Sequence, residues 1–324
     1  MRSHGDARSK FVPAGGAHVL CGLLSAHAAS APTAASVAGA IGTACTKSER
    51  NKLACVEAGA DQLLVNMLED HATHGAALAG ACAGIRALCT GDGELNVDEI
   101  ASKAFDNARK IAKLGAPKLL LEGTLAHAAA AGEDVAAVDA ASACADALRA
   151  VSVNDEICSR VGGEMRGMAS LIALLGEPAA QTNAALAKAV AGTLRALCAA
   201  DDNKSRFSEH GGCETIVGIM RAHAAAVGLQ EVSLTKDGFK ITFTQPAAEV
   251  KAESFTIGSW VPEYTGNYGS KRLDTKKHQV SGVKLSADGL VAEVAVEGLA
   301  GDRLFQIDVR NVVSKSGGAM RNGK

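Results

Sequence analysis

Asn183-Ala-Ala-Leu-Ala-Lys-Ala-Val-Ala-Gly-Thr-Leu-Arg-Ala-Leu-Cys198 decides how the first two thirds of this sequence fold. Leu186, Val190, Leu194 and Leu197 fall at i, i+4, i+8 and i+11, one face of a 3.6-residue helix, and Asn183 stands where an N-cap belongs. The ending Gly192-Thr-Leu-Arg-Ala-Leu-Cys198 recurs upstream as Gly39-Ala-Ile-Gly-Thr-Ala-Cys45, Ala83-Gly-Ile-Arg-Ala-Leu-Cys89 and Asp146-Ala-Leu-Arg-Ala-Val151. A second landmark keeps step with it: Gly15, Gly59, Gly115, Gly163 and Gly211, each between a helix end and a new apolar helix, lie 44, 56, 48 and 48 residues apart. Two landmarks sharing one period of this size predict a stack of helical repeats. Each repeat is expected to hold three helices, as in Ser48–Ala58, Ala60–Asp70 and Gly75–Thr90, with four to five repeats between residues 11 and 226. Abundant alanine suits such a stack, because it favours helix and lets neighbouring helices approach closely.

Composition divides the 324-residue chain in the same place. All nine cysteines lie between Cys21 and Cys213, whereas seven of the ten aromatics follow residue 230. The chain up to Leu229 has 20 Lys/Arg against 24 Asp/Glu, and the remainder 13 against 11, so neither part has the basic excess of a nucleic-acid-binding domain. No apolar run approaches the roughly 20 residues of a membrane span, and Met1-Arg2-Ser3-His4-Gly5-Asp6 opens no signal peptide. Cysteines set singly in Ala/Leu-rich helices read as reduced, buried hydrophobes. A cytoplasmic or nuclear protein without disulfides is the expectation.

The glycine turns, and the helix opened by Asp201-Asp-Asn-Lys204, resemble armadillo repeats. Thr193 through Lys204 and Gly211-Gly-Cys-Glu-Thr-Ile-Val217, preceded by Val153-Asn-Asp-Glu-Ile-Cys158 and Lys103-Ala-Phe-Asp-Asn-Ala-Arg-Lys-Ile111, are similar more narrowly to the armadillo repeat-containing protein 6 family, over residues 11–226. The resemblance implies protein–protein interaction and no enzymatic activity. One departure stands out. Peptide-binding armadillo proteins carry on the third helix a Trp and, four residues on, an Asn that grips the ligand backbone. The matching Trp positions here are Gly39, Ala83, Asp146 and Gly192, and the Asn positions Thr43, Ala87, Ala150 and Ala196. What this chain offers instead is Arg86, Arg149 and Arg195 in three successive repeats. These are either paired within the array, with acids such as Asp146 or Asp201, or form a row on or near the concave face able to take a partner's carboxylates.

Other motifs carry little chemistry. Thr90-Gly-Asp-Gly-Glu-Leu-Asn-Val-Asp-Glu99 has the second half of a calcium loop but lacks its first acidic ligands, and reads as an inter-repeat insertion. His71-Ala-Thr-His74 has no following Cys or His pair at zinc spacing, and Gly266-Asn-Tyr-Gly-Ser-Lys271 lacks the phosphate-loop spacing. No cofactor, metal or catalytic residue is assigned.

After residue 228 the hydrophobic period changes to 2. Val232/Leu234 and Phe239/Ile241/Phe243 flank Lys236-Asp-Gly238, and Val283/Leu285 and Val294/Val296 flank Ala287-Asp-Gly289. With Phe255/Ile257 and Phe305/Ile307/Val309 this makes six or seven strands over residues 231–324, the rhythm of an Ig-like or fibronectin-like sandwich. The segment Phe255–Tyr268 with Val283–Gly289 resembles the Ig-like domain of large secreted planctomycete proteins bearing haem or dehydrogenase modules, although no Cys-x-x-Cys-His is present to carry over haem chemistry. Trp260 is read as core with a long basic loop after it, or together with Tyr264 and Tyr268, beside Lys271, Arg272, Lys276 and Lys277, as a stacking platform for a sugar or single-stranded nucleic acid.

The expectation is therefore multidomain: a disordered residue 1–10 stretch, an all-α armadillo-type solenoid over 11–228, and a small all-β Ig-like sandwich over 231–324. Its expected role is a non-catalytic scaffold with protein partners, acidic segments among them, and neither nucleic acid nor membrane. The alternative is a carbohydrate- or surface-binding protein acting through the sandwich.

Overall fold

The computed structural model describes residues 9–91, 101–131, 134–225, 227–262, 272–317 and 320. Residues 1–8, most of the 90–99 insertion, and Tyr264 and Tyr268 lie outside these. Two compact units are present, Met1–Ile219 and Met220–Lys324.

The first is a stack of helices built from short-range rules. Its opening pair is α1 (Gly16–Ala26) and α2 (Ala31–Cys45). Full triplets follow: α3 (Glu49–Glu57), α4 (Ala60–Asp70) and α5 (Gly75–Cys89), then α6 (Ala104–Lys113), α7 (Ala116–Ala129) and α8 (Val135–Val151). The fourth repeat has α9 (Asp155–Ser159) running into a π-turn at Arg160–Glu164, α10 (Gly167–Gly176), a short α11 (Pro178–Thr182) and α12 (Ala184–Leu197). Helices α13 (Asp201–Glu209) and α14 (Gly212–Ala225) close the series.

Polar side chains start many of these helices by accepting otherwise orphaned amides. Ser48 Oγ accepts from Asn51 N, Asn154 Oδ1 from Ile157 N, and Asn183 Oδ1 from both Ala185 N and Leu186 N. The turn between first and second helices needs a left-handed residue, and Gly15, Gly59, Gly115 and Gly211 supply it with φ of 71°, 85°, 95° and 71°. In the fourth repeat the expected turn at Gly163 is displaced: Arg166, at φ 57°, takes the left-handed position. Gly162 and Gly163 serve packing instead. A Cβ on Gly162 would lie 2.0 Å from Asn203 Oδ1, and one on Gly163 2.8 Å from the Arg206 guanidinium.

Third helices α2, α5, α8 and α12 pack in succession, backbone close to backbone. A Cβ on Gly42 would approach Ala83 O to 2.9 Å, and one on Gly80 would approach Ala35 O to 2.6 Å. Thr193 Oγ1 donates across the α12–α8 contact to Ala145 O at 2.7 Å, and Cys82 Sγ meets Cys144 Sγ at 3.6 Å between α5 and α8. Buried amides repeat as well. Asn51, Asn107 and Asn203, near the start of α3, α6 and α13, donate Nδ2 to Ala44 O, Leu88 O and Leu197 O at the end of the preceding third helix. Each ties one repeat to the next and satisfies a helix-end carbonyl. Histidines link second helices likewise: His71 Nε2 bonds Ala28 O at 2.7 Å and His127 Nε2 bonds Ala72 O at 3.0 Å. A fully buried ion pair, Lys52 Nζ to Glu49 Oε1 at 2.8 Å, is completed by Thr90 O, Ser102 Oγ and Lys103 N.

The second unit is a β-sandwich. Strands β1 (Leu229–Leu234), β2 (Gly238–Phe243), β3 (Ala247–Glu249), β4 (Phe255–Pro262), β5 (Arg272–His278), β6 (Val280–Leu285), β7 (Val291–Val296), β8 (Leu304–Val309) and β9 (Val313–Ser314) make three antiparallel sets: β1-β2-β7-β6, β5-β4-β8 and β3-β9. Both expected hairpins are present, with Leu234 opposite Phe239 and Val283 opposite Val294. Phe239, Ile241, Phe243, Val294 and Val296 of the four-stranded sheet meet Phe255, Ile257 and Val309 of the three-stranded one in a single core. Strand β5 gave no alternating signal because it is an exposed edge of Arg, Lys and Asp residues, and β3 and β9 are too short to show a period. Trp260, taken for the core, points outward from β4 and is half-buried, while its neighbour Ser259 faces inward and is wholly buried. Strand alternation allows only one of two neighbours inside.

Candidate interaction surface

Arg86, Arg149 and Arg195 occupy the last turns of α5, α8 and α12, where the helix dipole favours cations. All three are exposed. Arg86 Nη1 reaches forward one repeat to Asp146 Oδ2 at 3.4 Å, and Arg149 Nη2 donates to Asp146 Oδ1 at 2.9 Å. One carboxylate thus joins two arginines of consecutive helices. Arg149 also leans forward: a Cβ on Gly192 of α12 would touch its Cδ at 3.4 Å. Arg195 follows one turn after Gly192 and has no carboxylate partner among the described residues. Asp201, the other candidate acid, pairs with Lys204 at 2.6 Å.

The positions that a peptide-binding armadillo protein would give to Trp are therefore where this chain lands its arginines: Arg86 on Asp146, Arg149 on Gly192. Exposures of 52% for Arg86, 41% for Arg149 and 29% for Asp146 mean that water screens the pairs, which limits each to about 0–1 kcal/mol. Beside the row, Gly39, Gly42, Thr43, Ala83, Arg86 and Ala87 line a shallow groove of about 170 Å³ between α2 and α5.

Other features of the chain are accounted for differently. A larger apolar cleft of about 800 Å³ lies between α7, α10 and α11, lined by residues such as Leu125, Ala128, Leu174 and Pro178. Its lining includes Glu177, the residue that caps the end of α10. All nine cysteines are free thiols. Burial pushes Cys21 and Cys158 up to about 11 and Cys89 up to about 12, away from thiolate chemistry. His74 Nδ1 caps α5 and His71 bridges repeats, and no cluster of metal-ligating side chains occurs among the described residues. In the sandwich, Arg272 lies over the Trp260 ring at 4.1 Å. Ser259 Oγ bonds His278 Nε2 at 2.7 Å and accepts from Arg303 Nε at 2.8 Å, while Arg303 reaches Asp274 at 2.6 Å. That guanidinium, itself nearly buried, holds the Asp274 carboxyl below the usual aspartate range. Among the described residues no helix is long and apolar enough to cross a membrane.

A stack of three-helix repeats with third helices in register defines an armadillo-type helical solenoid. The sequence likeness falls in the same class. Human armadillo repeat-containing protein 6 is 27% identical over 235 residues, covering 70% of this chain and 45% of the relative. The protein of the same name from Pongo abelii is 26% identical over 237 residues with the same coverage. The chain spans just under half the length of these curated relatives. No family profile matches it, and neither does any solved structure.

Proposed function

We propose that this protein is a non-catalytic protein-interaction scaffold whose binding surface is the third-helix face, with Arg86, Arg149 and Arg195 as the residues that take carboxylates of a partner. The observation that carries this reading is the arginine row on α5, α8 and α12, in which Arg86 and Arg149 are held only by solvent-screened pairs to Asp146 and Arg195 has no carboxylate partner among the described residues. Likeness to armadillo repeat proteins supports the scaffold role. The β-module, residues 231–324, serves as a second interaction or spacer unit. Its reading as Ig-like rests on a four-strand order β1-β2-β7-β6 facing β5-β4-β8, the arrangement of an A-B-E-D sheet against C′-C-F. Nine free thiols support a reducing compartment, cytosol or nucleus.

Affinity capture with the full chain and with the Arg86→Ala/Arg149→Ala/Arg195→Ala variant tests the assignment. Partners should be retained at least tenfold less by the variant, and the wild-type interaction should weaken with salt. A variant that keeps its helical circular dichroism and captures the same partners equally well removes the row from the binding surface.

A further inference from the structure

We infer that the ligand of the arginine row is an acidic α-helix carrying a carboxylate at every seventh residue, laid across α5, α8 and α12; this rests on the scaffold reading above. The argument starts from spacing. Third helices in close contact lie about 8–10 Å apart, and these are in close contact: Cys82 meets Cys144 between α5 and α8, and Thr193 bonds Ala145 O between α8 and α12. The backbones of equivalent arginines on successive helices therefore advance by about that step, and the head groups of Arg86 and Arg149, drawn together on Asp146, reach it by releasing that carboxylate. On an α-helix, residues i and i+7 are about 10.5 Å apart and return to the same face within roughly 20°. The small remaining difference is within the swing of an arginine side chain. In an extended strand, same-side residues come about 6.6 or 13 Å apart, so no spacing meets three arginines in turn.

The surface around the row points the same way. Extended ligands are gripped along their backbone, whereas the positions that follow these arginines, where peptide-binding armadillo proteins carry Asn, are Ala87, Ala150 and Ala196, which offer no side-chain hydrogen bond. A helix has its backbone already satisfied and needs none. What it needs is a smooth floor, and half-buried Ala83, Ala143, Ala191 and Gly192 provide one. Charge is complementary: the three guanidiniums have one carboxylate among them, Asp146, which bridges Arg86 and Arg149. It acts as a built-in competitor that the incoming helix displaces.

The test uses the full chain and fluorescein-labelled synthetic peptides of one length, read by anisotropy at low salt. One carries Glu at three successive heptad positions, one carries the same Glu residues at five-residue spacing, and one keeps the heptad order but is broken by two prolines. A fourth replaces the three Glu with Gln, which removes the carboxylates without touching the protein. The heptad peptide should bind at least tenfold tighter than the other three, and Asp146→Ala should tighten it further. The triple arginine variant should level the four. Equal binding of the three acidic peptides, all lost in the arginine variant, overturns the helical ligand and leaves the scaffold reading standing. Binding of the heptad peptide that is indifferent to both the Gln replacement and the arginine variant overturns the two together. No binding by any peptide overturns the helical ligand, and the affinity capture above then decides the scaffold reading separately.

Discussion

The helical array and the β-sandwich solve the same problem with opposite means. The array distributes its stability over many similar joints: an asparagine donating to a helix-end carbonyl, a glycine turn, a histidine reaching back one repeat, a row of alanines against the next helix. No large aromatic core is needed, and small residues leave the third-helix face smooth. The sandwich gathers four phenylalanines and a few β-branched residues into one core, and sets one buried polar cluster, Ser259–His278–Arg303, where its inward pattern is broken. A distributed structure can spare its surface for binding; a concentrated one fails as a whole.

The sharpest way to break that contrast is to attack the one concentrated feature of the array. Lys52→Met leaves Glu49 buried beside Ser102 and Lys103 without its cation, and should cost about 3–5 kcal/mol. Hydrogen exchange should show protection lost across α3 to α6 while α12 to α14 keep theirs; loss confined to α3 would mean that the repeats are less coupled than the packing indicates. Arg303→Met comes next. It leaves the wholly buried Ser259 without a donor and should cost about 2 kcal/mol, with exchange increasing over every strand of the sandwich at once. The same cluster sets a pH dependence. Because Arg303 lowers the Asp274 carboxyl, the stabilisation is complete above the ordinary aspartate value, near 4, and is lost as pH falls through the lower folded value. Acid melting of Asp274→Asn should be flatter than wild type in that window; parallel curves would show that the pair contributes nothing. Thr193→Val is the smallest change. It removes one inter-repeat hydrogen bond and should cost about 1 kcal/mol, raising exchange only around α8 and α12. A loss spread over the whole array would deny the distributed picture.

Periodicity made most of this fold readable. The 3.6-residue stripe placed α12 within a residue of its observed bounds, and the alternation of Phe239, Ile241 and Phe243 placed β2. Where reading failed, the local signal belonged to something distant. Gly162-Gly163 looks like the turn, yet those glycines make room for Asn203 and Arg206, forty residues on, while Arg166 takes the strained turn position. Trp260 looks like core by composition, and only the register of β4 against β8 shows Ser259 inside. The arginine row is visible as a recurrence; that Arg86 comes to rest on Asp146 of the following repeat depends on packing, which no single repeat displays.

The forward lean of Arg86 onto Asp146 and of Arg149 onto Gly192 makes the repeats overlap like roof tiles. A tile needs only two things, a hook at one end and a landing place for its predecessor. Duplicating or deleting a whole repeat preserves both. Such a surface can be lengthened or shortened by one guanidinium at a time during gene evolution, and the proposed grip on an acidic ligand would rise or fall in matching steps.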